Sequence, residues 1–510
     1  MELTFTRTPL TLDDLAPIYA GETVRLAFAP EVRRKVDAAR RVVERMLASG
    51  ATVYGVNTGF GKLSRERIGA AELEQLQLNL LRSHACGVGR PLAAELVRVL
   101  MVLRARTFAT GRSGVRMAVA EKLAELLAAD LVPAVPEQGS VGASGDLAPL
   151  AHLALALVGE GEPCWLRGRR MAVRAALKKA GIEPLRLQAK EGISLINGTQ
   201  VTTALTAQAL LRAENLARTA DLACALSLEA LKGTDKAFDR RIHAARPHPG
   251  QLRVAANLHG LLQGSAILAS HADCGKVQDP YSLRCAPQVH GACRDALVEA
   301  RRVVEIELNA STDNPLVFAE EGEMLSGGNF HAQPIAATAD RVAAAVADLQ
   351  SISERRTENL VNPDLSGLPA FLTPKPGLNS GFMIPQVVAA ALVSESKSLS
   401  FPASVDSIPT SANKEDHVSM GPIAARKALQ IVENGERVVA IELLCAAQGL
   451  DFEKQHRSTA PLEAARRAIR AKVRTLADDR YLAPDLEALA QLVRSGALVE
   501  AARKAGGKVG

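Results

Sequence analysis

The chain has 510 residues, a formal net charge of +6, 47% hydrophobic residues and only 3% aromatic residues. This length is enough for about three domains, and the low aromatic content favours closely packed helices over a β-sandwich. Charges of both signs are interspersed without a polybasic block, which disfavours a nucleic-acid partner.

Apolar residues recur at helical spacing in the first third of the chain. They predict helices at 31–49, 72–82, 93–108 and 115–129. Residues 54–62 contain three glycines and predict a flexible loop, and such loops often carry function. Residues 165–187 are basic and predict a small hairpin or lid.

Long helical patterns follow Asn197-Gly198. They cover 199–231, 286–308, 336–360, 384–399 and 421–448. Several of these exceed the usual helix length, so we expect a mainly α fold built as a bundle of long helices. We predict two domains, 1–198 and 199–510, and a frayed end at 506–510.

Neither the start of the chain nor its cysteines indicate export. The first residues lack the apolar core of a signal peptide, and the apolar runs are too short or too often broken by charges to span a bilayer. The seven cysteines never form Cys-x-x-Cys, which favours reduced thiols in the cytoplasm. With no His-Glu-x-x-His and no paired-cysteine ligand set, we expect no metal.

The most informative stretch is 139–150, Gly-Ser-Val-Gly-Ala-Ser-Gly-Asp-Leu-Ala-Pro-Leu. Glycine is conformationally free, so the Gly145 amide nitrogen could fold back onto the Ala143 carbonyl carbon. The Ala143 carbonyl oxygen would leave as one water and the Ser144 hydroxyl as a second. The product would be an imidazolone bearing a methylidene group. Ordinary side chains are not strong electrophiles, and this ring would supply one.

Two simpler interpretations compete. A phosphate-binding loop is weakly supported, because the glycine spacing is not the dinucleotide fingerprint and no Gly-Lys-Ser/Thr follows. Alternatively, Ser144 or Asp146 could cap a helix over 147–158, whose positive end would face the turn. From these residues alone, the capped helix remains the simpler interpretation.

Further polar clusters fall in the predicted connectors. They are Ser83-His84-Ala85-Cys86-Gly87, Ile196-Asn197-Gly198-Thr199-Gln200, 278–285, Gly327-Gly328-Asn329-Phe330-His331 and 410–417. Each alone is more often a cap or a turn. Together with 54–61, 139–152 and 481–485, however, they resemble the aromatic amino acid ammonia-lyase and aminomutase family along nearly the whole chain.

The resemblance implies a fold and a prosthetic group. The fold is the long-helix bundle of the fumarase/aspartase-like superfamily, with the N-terminal domain carrying the electrophile loop. The Gly-Ser-Ser-x-x-Met-Pro-x-Lys loop of the wider superfamily is absent. The prosthetic group is 4-methylidene-imidazol-5-one (MIO), formed from Ala143, Ser144 and Gly145, with no external cofactor. Asn197 would hydrogen-bond it.

The family pattern also assigns roles to loop residues. Tyr54 would be the general base, and Arg284 would clamp the substrate carboxylate, since a guanidinium matches a carboxylate bidentately. Tyr281, Gln278 and Phe330 would line the electrophile. The pattern further implies a homotetramer whose sites are each built from three subunits.

His84 and Glu415 match the positions that face the substrate side chain. Together they offer donor and acceptor groups for an imidazole, so the pattern favours L-histidine, eliminated to trans-urocanate. A phenyl ring would leave both groups unpaired. The alternatives are a tyrosine ammonia-lyase or tyrosine 2,3-aminomutase, and a catalytically silent helical scaffold. Lys414 and His290 depart from the family pattern.

Overall fold

The computed structural model describes residues 1–50, 56, 58, 68–69 and 72–510. The described residues form two compact units. The first contains 1–208, 301–340 and 402–426, and the second contains 209–300, 341–401 and 427–510. The division into domains 1–198 and 199–510 stays a prediction.

The described chain is mainly helical. Helices α1 to α21 are Ala16–Tyr19, Pro30–Ala48, Leu73–His84, Ala94–Ala109, Met117–Ala128, Leu147–Leu157, Val173–Ala180, Glu191–Ile196, Gln200–Ala230, Arg240–Ala244, Pro249–Leu262, Ala266–Ala269, Tyr281–Arg284, Ala286–Leu308, Gln333–Val361, Pro363–Ser366, Met383–Leu399, Gly421–Asp451, Ala460–Arg470, Ala483–Arg494 and Ala497–Lys504. The predicted long helices are confirmed as α9, α14, α15, α17 and α18.

The strands are short, and all belong to the first unit. Strands β1 to β9 are Glu2–Phe5, Arg25–Phe28, Val88–Pro91, Leu131–Val132, Pro136–Gln138, Cys164–Leu166, Arg169–Met171, Leu316–Phe318 and Glu323–Leu325. β1 and β2 pair in parallel with Glu2 opposite Arg25. The pairs β3–β5, β4–β6, β6–β7 and β8–β9 are antiparallel. The predicted hairpin near 165 is β6–β7, and helix α7 follows it.

The C-terminal end contradicts the sequence-based prediction of a frayed tail. Val509 is only 2% exposed, and its carbonyl oxygen accepts hydrogen bonds from Arg503 at 2.6 and 3.0 Å. The Gly510 oxygen accepts a bond of 2.7 Å from Arg294. Two arginines therefore hold an end whose glycines suggested disorder.

The helices pack closely because many of their buried residues are small. In α6, every residue from Ala148 to Leu157 is buried, so this largely apolar helix is packed on all sides, as expected of a core element. In the second unit α11 and α14 approach backbone to backbone, since a Cβ at Gly250 would overlap the Gly291 carbonyl and lie 2.9 Å from the Asp295 carboxylate.

None of the helices in the described part is both long and apolar enough to cross a membrane. Across the same residues, no three histidine, cysteine, aspartate or glutamate side chains are grouped to hold a metal ion.

The two glycines of α11 should respond oppositely to alanine. At Gly260 a Cβ meets open space, so Gly260→Ala should stabilise the second unit by about 0.5–1 kcal/mol through helix propensity. Gly250→Ala should destabilise it by roughly 1–3 kcal/mol, because the backbone of α14 must move. Thermal unfolding of both variants beside the wild type measures this, and shifts of the same sign would contradict the proposed close crossing.

Candidate active site

The turn before α6 has a backbone that only glycine tolerates. Gly145 has φ +82° and forms an isolated parallel bridge with Gly198, and the Asp146 N–H donates to the Gly198 carbonyl at 2.7 Å. A Cβ at Gly145 would lie 2.6 Å from the Gly198 nitrogen and closer still to its carbonyl. The chain therefore brings two glycines together where no side chain fits.

The Asp146 side chain ties this turn to helix α9. Its buried carboxylate accepts hydrogen bonds from the Thr202 N–H at 2.9 Å and the Thr202 hydroxyl at 2.8 Å. Burial raises the pKa of Asp146 to about 6, against these bonds and the nearby charge of Arg104. Helix α6 begins directly after Asp146, but its side chain makes no capping bond. The capped-helix interpretation is therefore wrong for Asp146, whose carboxylate binds α9.

The other side of the turn is held by a segment far along the chain. The Met420 N–H donates to the Val141 carbonyl at 2.8 Å, and the Ser419 hydroxyl donates to the Gly142 carbonyl at 3.0 Å. Gly142 has φ +67°, and a Cβ there would overlap the Ser419 hydroxyl. The turn is thus held between α9 on one side and the start of α18 on the other.

Ser144 lies at the tip with two polar partners. Its hydroxyl donates to Glu415 Oε1 at 2.6 Å, and its carbonyl oxygen accepts a bond of 3.1 Å from Asn197 Nδ2. The N-cap position of α6 is Asp146, so Ser144 does not cap this helix either. Among the described residues nothing donates to the buried Oδ1 atom of Asn197.

Glu415 is presented by a strained loop. Its Oε2 atom accepts bonds of 2.7 Å from the Thr410 hydroxyl and 2.9 Å from the Ser411 hydroxyl. Ser411, Ala412 and Asn413 all have positive φ, between +51° and +65°, a costly conformation for residues with side chains. Burial opposes the charge of Glu415, but hydrogen bonds from Ser144, Thr410 and Ser411 outweigh it and lower its pKa.

His84 closes helix α3 beside this carboxylate. Its Nδ1 lies 2.9 Å from the Leu80 carbonyl oxygen, which can only accept, so we infer that Nδ1 carries the proton. Burial lowers the pKa of His84, against the charge of Glu415. At neutral pH the imidazole is therefore neutral, and its Nε2 is an acceptor. His84 and ionised Glu415 are two acceptors, whereas the sequence suggested a donor and an acceptor.

Gln278, Tyr281 and Arg284 lie in the second unit. Gln278 is exposed in the segment before α13, and Tyr281 is 69% exposed at the start of α13. The Arg284 guanidinium lies 4.5 Å from the centre of the Tyr281 ring, and its Nε donates to the Asp279 carbonyl at 3.1 Å. This stacking leaves the terminal nitrogens of Arg284 for a further partner.

Two predicted site residues remain, Phe330 and Tyr54. Phe330 is half-buried in the turn between β9 and α15. Its neighbour His331 stacks on His417 with ring centres 6.0 Å apart. Tyr54 lies outside the described residues.

The first unit thus brings together the Ala143–Gly145 turn, Asn197, His84 and Glu415. Sequence reasoning missed the residues that hold them: Thr202, Ser419, Met420 and Arg104. Only Arg104 carried a local signal, as a charge inside the apolar run 99–103 and 105.

Comparisons with known proteins agree over nearly the whole chain. The family model for aromatic amino acid lyase matches residues 10–471. A histidine ammonia-lyase from Koribacter versatilis is 53% identical over 514 residues, covering 98% of this chain and 99% of that protein.

Solved structures extend the agreement to the fold. The crystal structure of histidine ammonia-lyase from Trypanosoma cruzi has a TM-score of 0.92 and 43% identity, covering 99% of this chain and 96% of that one. The tyrosine aminomutase from Streptomyces globisporus has a TM-score of 0.93 and 38% identity, covering 99% of each chain. The chain belongs to the aromatic amino acid lyase family.

Proposed function

We propose that this chain is a histidine ammonia-lyase, a carbon–nitrogen lyase that eliminates ammonia from L-histidine and forms trans-urocanate. Curated histidine ammonia-lyases at 53% and 55% identity over nearly the full length support this function. The observation within the site that carries the proposal is the grouping of His84 and ionised Glu415 beside Ser144.

The turn fits the MIO group that the family implies. Cyclisation joins the Gly145 nitrogen to the Ala143 carbonyl carbon, and Gly145 has the positive φ and the missing Cβ that a tight turn needs. The Ser144 carbonyl oxygen survives cyclisation, and Asn197 already donates to it at 3.1 Å. Once formed, the group supplies an electrophilic methylidene carbon that activates the substrate amine for elimination.

Asn197 and α6 then stabilise charge at this position. The Asn197 amide favours negative charge on the Ser144 oxygen, as a preorganised donor in a buried site does. The N-terminus of α6 points its helix dipole toward the same turn. Asn197 Oδ1 has no donor among the described residues and would accept a hydrogen bond from the substrate's amino group.

His84 and Glu415 select the ring. Loss of the Ser144 hydroxyl removes the donor from Glu415 Oε1, which leaves that oxygen and His84 Nε2 as two acceptors. The substrate imidazole has an ordinary pKa near 6.5, and the ionised Glu415 carboxylate favours its protonated form, which carries two N–H donors and satisfies both acceptors. The phenol of tyrosine has one O–H donor, and a phenyl ring has none. The site therefore favours histidine over the tyrosine substrate of the aminomutase relatives.

The other roles follow the family pattern. The Arg284 guanidinium would bind the substrate carboxylate bidentately, while Tyr281, Gln278 and Phe330 line the electrophile. Tyr54 would take the β-proton. An ordinary tyrosine pKa is near 10, so the assembled site must lower it or share the proton.

We place the enzyme in the cytoplasm as a homotetramer. Seven free thiols support a reducing compartment. An apolar stripe on α17 supports self-association, since Ile384 is 59% exposed, Val387 51% and Val388 37%. A helix face in contact with water is usually polar, and an exposed apolar stripe commonly marks an interface.

Ser144→Ala should keep the fold and lose the electrophile, because no hydroxyl remains to leave as water. We expect deamination of L-histidine to fall by orders of magnitude while the helical circular-dichroism signal stays unchanged. Intact mass should show a two-water deficit in the wild type and no such deficit in the variant. Near-normal deamination by Ser144→Ala would contradict the assignment.

His84→Leu should change specificity. Histidine loses an acceptor for a ring N–H, while phenylalanine escapes the cost of leaving that acceptor unpaired. The ratio of kcat/KM for histidine over phenylalanine should fall at least about tenfold, or ~1.4 kcal/mol. Both substrates are measured on both proteins at one pH, and an unchanged ratio would remove His84 from the ring-binding site.

The α17 stripe should be needed for assembly. The double variant Ile384→Glu, Val387→Glu puts charges into the proposed interface and should sediment as smaller particles with reduced activity. Ile384→Leu with Val387→Leu keeps the surface apolar and should sediment as the wild type. Wild-type particle mass retained by the glutamate variant would place the interface elsewhere.

A further inference from the structure

Arg104 is a fully buried cation in the apolar helix α4. Its guanidinium donates to the Asn197 carbonyl at 2.9 Å, to Gln200 Oε1 at 2.6 Å and to the Ser194 carbonyl. One face of the group lies 4.8 Å from the centre of the Phe108 ring. The guanidinium therefore directs its hydrogen bonds to residues 194–200, which run from the end of α8 to the start of α9.

Helix α8 depends on such contacts because it has only six residues. A short helix leaves most of its terminal N–H and carbonyl groups without internal partners. At its start, Gln77 Oε1 accepts from the Gly192 N–H at 2.8 Å and the Ile193 N–H at 3.3 Å. At its end, Arg104 binds the carbonyls. Two side chains from α3 and α4 thus fix both ends of α8.

The two residues that follow α8, Asn197 and Gly198, support the electrophile turn. Asn197 donates to the Ser144 carbonyl, and the Gly198 carbonyl accepts from the Asp146 N–H. A Cβ at Gly198 would lie 2.6 Å from Arg104 Nη1, so the guanidinium packs directly against this glycine. Arg104 thereby contacts the backbone of both residues that hold the 143–146 turn.

We propose that Arg104 is a positioning residue for MIO formation, acting through Asn197 and Gly198 on the Ala143–Gly145 turn. The inference rests on the proposed function, since it concerns how the electrophile of that function matures. Without the guanidinium, the Ser194 and Asn197 carbonyls lose their buried donor, and the end of α8 is free to shift. The turn then spends less time with the Gly145 nitrogen held for attack.

Charge contributes as well as geometry. Arg104 lies near the buried carboxylates of Asp146 and Asp313, and both favour its charged form. Burial lowers the pKa of Arg104 to about 10, so it remains charged at neutral pH. A lysine would keep this charge but could not reproduce the fork that reaches several acceptors at once.

Arg106 provides a matched control on the same helix. It is 8% exposed and donates to Asn309 Oδ1 at 2.9 and 3.1 Å and to the Thr6 and Thr8 carbonyls at 3.2 Å each. Its loss removes a similar set of buried hydrogen bonds without touching α8. Any general effect of deleting an arginine from α4 should appear in both variants.

The experiment compares wild type, Arg104→Met, Arg104→Lys and Arg106→Met by intact mass, thermal unfolding and histidine kinetics. Both methionine variants should unfold at lower temperature. The fraction of folded chains with the two-water deficit should be at least ten times lower than in the wild type for Arg104→Met and unchanged for Arg106→Met. For Arg104→Lys this fraction should be intermediate. Only chains that have formed the MIO group turn over histidine, so the observed KM is the KM of those chains and should stay constant. The kcat per subunit should fall in proportion to their fraction.

Equal deficits in folded Arg104→Met and Arg106→Met would overturn the proposal. If Arg104→Met does not fold, Arg104→Lys decides: a reduced deficit supports the proposal and a full one overturns it. A wild type without any deficit would instead contradict MIO formation in the proposed function, so the two failures are distinguishable.

Discussion

The site depends on one backbone contact, the pairing of Gly145 with Gly198. Neither position accepts a Cβ, and the hydrogen bond from the Asp146 N–H to the Gly198 carbonyl fixes their register. The polar contacts of Ser144, Asn197 and Asp146 are arranged around this pairing. It sets Ser144 at the tip, places Asn197 within reach of the Ser144 carbonyl, and directs the Asp146 carboxylate to Thr202. A glycine-rich sequence that suggests flexibility is thus a tightly determined structure.

The charged groups around this contact differ in how deeply they are buried. Arg104 and Asp146 are fully buried. Arg104 binds two backbone carbonyls and Gln200, and Asp146 binds Thr202. Glu415 is kept ionised by three hydroxyl donors despite its partial burial. Unpaired buried charges are costly, and each of these groups makes at least three hydrogen bonds or charge contacts that also fix its direction. The same bonds that stabilise the fold therefore orient the chemistry.

Much of this could be predicted from the sequence, for identifiable reasons. The long helices follow from apolar periodicity. The residue types in 139–150 allow a cyclised electrophile, but only the family resemblance made it the favoured interpretation. Contacts between distant segments carry no such pattern: nothing near Thr202 or Ser419 indicates that they hold a turn at 142–146. The capping prediction failed because tertiary partners fix both side chains: Thr202 donates to the Asp146 carboxylate, and the Ser144 hydroxyl is directed toward Glu415. The frayed-tail prediction failed because Arg294 and Arg503 bind an end that composition alone describes as loose.

The most direct test of the account is a product assay of the purified wild-type protein with L-histidine, with L-tyrosine in parallel. We expect ammonia and trans-urocanate in equal amounts from histidine, and a kcat/KM for tyrosine lower by about 10⁴ or more, since sites built to hydrogen-bond a substrate reject analogues that leave their groups unpaired. Comparable turnover of tyrosine, or a β-amino acid as the main product, would contradict the account and favour an aminomutase.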